Sequence, residues 1–463
     1  MERELGGRLW QRAGALVSPL QLPDFRRLWA ADMISLLGDW AGRLALTVLV
    51  LDRTGSPAWA AAVTAVSLAG WVGIGQVLAT LADRVGRLPV MLSADLARAA
   101  LFCAMLLDLP VGALLVLAFL AGVATPPFEA ARSAALPDIV PEHRYGDALA
   151  LSGISIQASL VVGNMLGGVL LVLVGARGAL AINALSFLVS GVFILGLRHT
   201  AAAAPASTVR TVRGSLREGA ANLFGDRMVR RALVIIAMTG ALGTVDEALV
   251  VPYAAVVGIS NGFLGLLAAA VPIGTLIGTA VIARSSDHHT LLRSAGLCTF
   301  VTATLAVPLY WLEVGGPGAF VAFIISGGMF AVSIPTNVVI GTRLLRDTRA
   351  SAMGIAVGIL MGGQAAGAAI GGVVASVVGP PRAIAGSLAL AALFGAWSTV
   401  TTPVEAKHLA GRRRVIPITP PPIAGAGLLD PPSVVDLDAL GDGARGSGAA
   451  HAVSSERPVA RVS

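Results

Sequence analysis

Apolar residues run along this chain in long, nearly unbroken stretches. They do not fall in the narrow stripes of a water-facing helix or the alternation of a half-buried strand. Each stretch is about 20 residues or longer, and short clusters rich in Arg, Asp, Pro and Gly separate them. In hydrocarbon every backbone N–H and C=O must be satisfied within the segment, so such stretches predict membrane-crossing helices. Twelve can be marked: 28–51, 58–82, 89–108, 110–134, 147–175 and 178–198, then 230–255, 261–283, 290–312, 318–342, 350–378 and 382–401. A polar segment, 199–229, divides them six and six.

Composition agrees with the pattern. Of 463 residues 56% are hydrophobic and only 13% charged, too little polar surface for a soluble protein of this length. The 55 glycines suit helices that pack closely in lipid. The net charge of +7 could indicate a polyanionic partner, but its placement argues against nucleic acid. Basic residues crowd alternate loops (Arg26 and Arg27, Arg84 and Arg87, Arg144, the 198–231 segment, Arg343, 407–414), while the other loops hold little beyond Arg53, Arg177 and Arg382. By the positive-inside rule both termini are expected in the cytoplasm, in a multi-pass protein of the plasma (inner) membrane. Residues 1–24 read as a cytoplasmic leader without a cleavable signal peptide. The Pro-, Gly- and Ser-rich 402–463 segment reads as a disordered cytoplasmic tail. Cys103 and Cys298 fall inside spans and read as buried apolar residues.

The two halves echo each other at a shift of 204 residues. Val77, Ala79 and Asp83 recur as Val281, Ala283 and Asp287, and Arg26 and Arg27 as Arg230 and Arg231. Gly163, Gly167, Gly168 and Gly175 recur as Gly367, Gly371, Gly372 and Gly379. Six spans separate each pair, so the repeat is parallel. It builds an N-terminal lobe (25–198) and a C-terminal lobe (230–401) with a substrate site between them.

The loop after the second span reads Ala79-Thr-Leu-Ala-Asp83-Arg84-Val-Gly86-Arg87-Leu88. With Phe25-Arg-Arg-Leu-Trp29, Ser35-Leu-Leu-Gly-Asp39, Ala135-Leu-Pro-Asp-Ile-Val-Pro141 and the glycine run of span five, it resembles the major facilitator superfamily over residues 20–400. Within that superfamily the chain is most similar to drug, macrolide and siderophore exporters of the enterobactin-exporter type. The resemblance implies an all-α integral membrane protein with twelve helices in two six-helix lobes, working by proton-driven alternating access. It also implies that Asp83, Arg84, Gly86 and Arg87 lock the lobes on the cytoplasmic side. Ala79 and Leu88 depart from the loop's pattern, which has Gly and a basic residue there. Asn164 likewise stands where antiporters of the superfamily usually carry Pro.

Charged residues inside the spans carry the mechanism. Asp39 and Arg43 lie four apart, on one helix face. A charge at mid-membrane costs about 2.5–3.5 kcal/mol, so these two are expected to face the interior. Glu247 falls opposite Arg43 under the repeat, and Asp246 adjoins it. Asp39, Glu247, Asp246 and Arg43 are therefore the proton-coupling candidates. Asp95, Arg98, Glu129 and Arg132 lie nearer a membrane face and read as side chains that snorkel to it, with membership of the Asp83–Arg87 network as the alternative. Gln157, Asn164, Asn183, Asn337 and Gln364 are candidate polar contacts in the substrate cavity. Gly163, Gly167 and Gly168, with Gly367, Gly371 and Gly372, have the spacing of close helix packing.

No Gly-x-x-x-x-Gly-Lys loop is present, so direct drive by ATP is not expected. The sequence shows no metal-ligand cluster and implies no cofactor. The expectation is a non-enzymatic secondary transporter, functional as a monomer, that exports a hydrophobic or amphipathic small molecule in exchange for protons, as in multidrug resistance. Import or facilitated diffusion of a metabolite is the second reading. A transporter-like sensor or assembly partner is the third.

Overall fold

The computed structural model describes residues 16–73, 85–197, 212–284, 291–344 and 349–402. Asp83, Arg84, Asp287, the leader to residue 15 and the tail from 403 lie outside the described residues. After a 3-10 turn at Ser18–Gln21 come α1 (Pro23–Thr54), α2 (Pro57–Ala69), α3 (Arg87–Ala104), α4 (Val111–Ile139) and α5 (Glu142–Leu195). Helix α6 (Val212–Gly225) precedes α7 (Arg227–Val257), α8 (Asn261–Arg284) and α9 (Leu291–Trp311). The next span is α10 (Gly316–Gly327), a 3-10 segment at Gly328–Val332 and α11 (Ser333–Arg343). Helices α12 (Arg349–Val378) and α13 (Pro380–Thr401) complete the order.

Nine of the described helices are long and apolar enough to cross a bilayer. Helix α5 is two crossings joined end to end. At Gly175 the backbone turns through φ 71°, ψ 178°, a region that only glycine enters readily. Its repeat mate Gly379 has φ 89°, ψ 150° and separates α12 from α13. The tight turn is thus the same in both lobes, but Pro380 and Pro381 end the helix cleanly in the second. Helix α3 carries three charges, and only the first part of the span containing α2 is described. Together these make the twelve-helix, two-lobe major facilitator fold. Lipid-facing apolar side chains such as Leu173, Val377 and Val400 are more than two-thirds exposed, as a bilayer solvent permits.

The glycine runs explain the packing. A Cβ on Gly167 would sit 3.0 Å from the Cα of Ala41, and one on Gly371 would sit 2.6 Å from Val245. Val245 is Ala41 shifted by 204 residues. These glycines seat α5 on α1 and α12 on α7. The third glycine of each run faces the other lobe. A Cβ on Gly168 would lie 2.6 Å from the amide nitrogen of Gly265 in α8, and one on Gly372 would lie 2.6 Å from Ala61 in α2. Gly265 and Ala61 are again related by the shift. The lobes therefore meet along α5–α8 and α12–α2, helix backbone against helix backbone.

Two expectations need correction. Cys103 is exposed on its helix, not buried, which lipid tolerates for a thiol. Asp95, Arg98, Glu129 and Arg132 do not snorkel. All four are buried at 6% exposure or less and point into the N-terminal lobe, because each finds an opposite charge there.

Candidate functional site: a cavity beside buried charges

A cavity of about 160 Å³ opens among α1, α2, α3, α4 and the first half of α5. Leu36, Trp40, Trp71 and Phe102 give it apolar and aromatic walls, and Asp39, Arg43 and Glu129 supply its charges. Helix α1 delivers Trp40 and Arg43 side by side. The Arg43 guanidinium lies 4.4 Å from the Trp40 ring centroid and 4.0 Å from Asp39. Across the lobe boundary the half-buried Glu247 on α7 lies within Coulombic range of Arg43.

Behind the cavity lies a network of buried charges. Arg132 donates to Glu129 at 2.8 Å through Nη2 and at 3.2 Å through Nε, and its Nη1 stands 3.4 Å from Asp32 Oδ2. Two carboxylates therefore share one guanidinium. Asp95 pairs with Arg98 and accepts from Ser190 Oγ at 2.7 Å. Arg98 is stacked between Phe128 and Phe187, at 4.7 and 4.4 Å from the ring centroids. Glu129 belongs to both the network and the cavity wall, so the two are in direct contact. Asp32 is the residue the sequence reading passed over. Its spacing held the signal, since it lies seven residues before Asp39 and thus on the same helix face.

The other candidates are scattered. Asp246 is fully buried in the C-terminal lobe, away from the cavity walls, and accepts from Ser326 Oγ at 2.6 Å. Asn183 is sealed between helices, against the faces of Gly38 and Gly42. Asn164 spends its amide on the carbonyl of Leu160 in its own helix, at 2.8 Å. Gln364 packs over Gly240 of α7. Gln157 and Asn337 are half-buried and do not line this cavity. Gly86, at φ 104°, starts α3, and Arg87 pairs with Asp138 at the end of α4. On the opposite membrane face Asp108 holds Arg53 at 2.8 Å and Arg177 at 2.9 Å.

Counting charges in the transmembrane helices gives an imbalance. More than five residues from any helix end, with the Gly175 break counted as an end, the described residues place Asp32, Asp39, Asp95, Glu129, Asp246 and Glu247. Only Arg43, Arg98 and Arg132 oppose these six carboxyl groups there. Three acids are left without a cation in a medium that penalises lone charge severely. Among the described residues no His, Cys, Asp and Glu cluster suited to a metal ion is present.

The cavity is lined by the N-terminal lobe alone, not by both lobes as the repeat led one to expect. Residues 14–422 match the family described as transmembrane secretion effector, a branch of the major facilitator superfamily. The chain belongs to this family. It is 25% identical over 338 residues to the uncharacterized MFS-type transporter YfiS of Bacillus subtilis (strain 168), covering 71% of this chain and 81% of that protein. Among solved structures it is similar to a POT family transporter in complex with 5-aminolevulinic acid. There the TM-score is 0.65, the identity 12%, and the match covers 81% of this chain and 95% of that one. The nucleoside transporter NupG superposes with TM-score 0.63 at 15% identity, over 82% of this chain and 98% of that one. At such identities the structural likeness establishes the fold. The chain is thus a multi-pass membrane transporter of a small-molecule substrate, in a family whose members are generally not enzymes.

Proposed function

We propose that this protein exports a hydrophobic or amphipathic small molecule across the plasma membrane, by alternating access coupled to inward proton movement. The observation that carries the reading is an aromatic-walled cavity lined by Asp39 and Glu129, in a protein whose described helix interiors hold three more carboxyl groups than arginines. Carboxyl groups that lack a cation in hydrocarbon are sites to be filled by protons or by cargo. Trp40, Trp71 and Phe102 supply stacking surface for an amphipathic molecule. Asp39 on α1 and Glu247 on α7 flank Arg43 from the two lobes. Rocking the lobes changes which of them Arg43 compensates, and the released acid takes up a proton. Outward direction draws support from the family's description as secretion effectors. Cytoplasmic termini draw support from the arginine-rich loops, and a monomer suffices because both lobes lie in one chain. The 83–87 loop acts as the cytoplasmic lock, a role the resemblance implies for Asp83, Arg84, Gly86 and Arg87, and Arg87 anchors the start of α3 to the end of α4.

The test is a susceptibility panel of drugs and metabolites in an efflux-deficient bacterial host. Wild type is expected to protect against at least one lipophilic compound, and Asp39→Asn and Glu247→Gln are expected to abolish that protection. Absence of any protection overturns export. Protection that survives both substitutions removes the two carboxyl groups as proton carriers.

A further inference from the structure

The C-terminal lobe holds a carboxyl group that the cavity does not use. Asp246 has no exposed surface, lies in the middle third of α7, and forms no ion pair among the described residues. One oxygen accepts from Ser326 Oγ at 2.6 Å, and the other, Oδ1, is buried with no hydrogen-bond partner. Ser326 sits on α10. Its hydroxyl lies 3.3 Å from the Tyr310 hydroxyl, near the end of α9. Tyr310, Tyr253 and Phe323 form a sealed aromatic triangle with ring centroids 5.1–5.6 Å apart. Tyr253 in turn donates to the carbonyl of Val314 at 2.6 Å, in the loop between α9 and α10. Hydroxyl groups thus lead from Asp246 toward the membrane face opposite the termini. The groups that bear on Asp246 are Glu247 and Tyr253 on its own helix, Ser326 on α10 and Tyr310 on α9, with Arg43 acting on Glu247 from α1.

We infer that Asp246 is a dedicated proton-binding site, charged from the face opposite the termini through Tyr310 and Ser326 and kept apart from the cargo cavity. When the sealed triangle parts and admits water from that face, the Tyr310 oxygen takes a proton as its own hydroxyl proton passes to Ser326 Oγ. Ser326 gives its proton to Asp246 Oδ2. The carboxylate becomes the neutral acid, both hydroxyls end as they began, and one hydronium becomes water. A buried oxygen without a partner, such as Oδ1, is a cost that a purely structural side chain avoids, so it calls for a functional explanation. A chamber of its own would let this proton bind in the lobe opposite the cargo, coupled to it by the rocking of the lobes, in addition to the exchange at Asp39 and Glu247. This rests on the antiport reading given above.

The experiment is infrared difference spectroscopy of the purified full-length protein in lipid, stepped from alkaline to acidic buffer, with deuterium oxide exchange. Wild type is expected to show a protonated-carboxyl band that Asp246→Asn loses. Tyr310→Phe and Ser326→Ala should keep the band but slow its deuterium shift several-fold. Size-exclusion profiles of the variants establish that they are folded, and the two relay variants keep the test open should Asp246→Asn misfold. A band that persists in Asp246→Asn overturns the site, as does its absence from wild type. Wild-type exchange in both Tyr310→Phe and Ser326→Ala overturns the route. Failure of antiport itself reads differently: the band and its slow exchange remain, while the susceptibility panel shows no protection.

Discussion

At the scale of single residues, the shared guanidinium of Arg132 is the most exposed dependency in the N-terminal lobe. It compensates Asp32 and Glu129 at once, in a site where none of the three side chains is more than 8% exposed. Removing it leaves two buried carboxylates unpaired, and breaking a buried pair in this way costs about 3–5 kcal/mol. Arg132→Met is therefore expected to lower the thermal unfolding temperature in detergent sharply. Asp32→Asn should lower it much less, since Glu129 still holds Arg132. Equal losses would mean that Arg132 is not the shared partner. The arginine's importance was not legible in the sequence. Glu129 and Arg132 were visible as a pair three apart, but their distance from the chain's loops read as closeness to water. Which way a helix turns its charged face depends on partners on other helices, here Asp32 on α1, and a single sequence does not pair helices. Asp39 and Arg43 were easier to read because four-residue spacing brings them together on one helix.

Helix ends and helix contacts set the next scale. Asp226 caps α7, accepting from the amides of Met228 at 2.6 Å and Val229 at 3.1 Å, with Arg343 at 3.5 Å. Partial burial works to raise its carboxyl group, but the two amides and Arg343 outweigh burial and hold it below the ordinary carboxylate range. The sign follows from linkage: a carboxyl group whose value is depressed in the folded state stabilises fully above the unfolded value of about 3.9, and loses that contribution as pH falls through the lower folded value. Asp226→Ala should cost about 1 kcal/mol at neutral pH, while Asp226→Asn keeps most of the cap. The difference between wild type and Asp226→Ala should shrink below about pH 4, which acid-titrated thermal melts would measure. The glycine contacts support a second expectation. Gly168→Ala pushes a Cβ into the backbone of Gly265 in the other lobe, and overpacking of this kind costs about 1–3 kcal/mol. Gly191→Ala, whose nearest neighbour would be 3.9 Å away, should be silent in the same melts. The repeat announced that these glycines matter, because the same spacing occurs twice. It did not announce that the third glycine of each run joins the lobes while the first two pack within one, a distinction that needs the helices in place.

For the whole molecule, the fold was legible because lipid leaves few choices. A span must be long, apolar and helical, and a repeat of six spans must be parallel. The cavity was less legible: none of the five polar candidates on spans five, six, ten and eleven lines it, and its charges come from α1 and α4. Span-interior amides are as useful for joining helices as for touching cargo, as Asn164 and Asn183 show. What the assembled molecule adds is the charge balance, six interior carboxyl groups against three arginines among the described residues. That balance constrains the cargo. An anion entering the cavity would add to an existing negative surplus in a low dielectric, whereas a lipophilic cation would relieve it and compete with protons for the same carboxyl groups. Ethidium, a lipophilic cation, and a hydrophobic sulfonate of similar size make a direct comparison. Tryptophan fluorescence should report on both, because Trp40 and Trp71 line the cavity. Ethidium is expected to quench, more weakly at acidic pH because protons then hold the sites, and the sulfonate should leave the signal unchanged. Glu129→Gln should weaken the ethidium response, since Glu129 is the cavity carboxyl group whose arginine is shared with Asp32. Preference for the sulfonate, or quenching by ethidium that strengthens on acidification, would mean that the interior surplus is settled by protons alone and does not select the cargo.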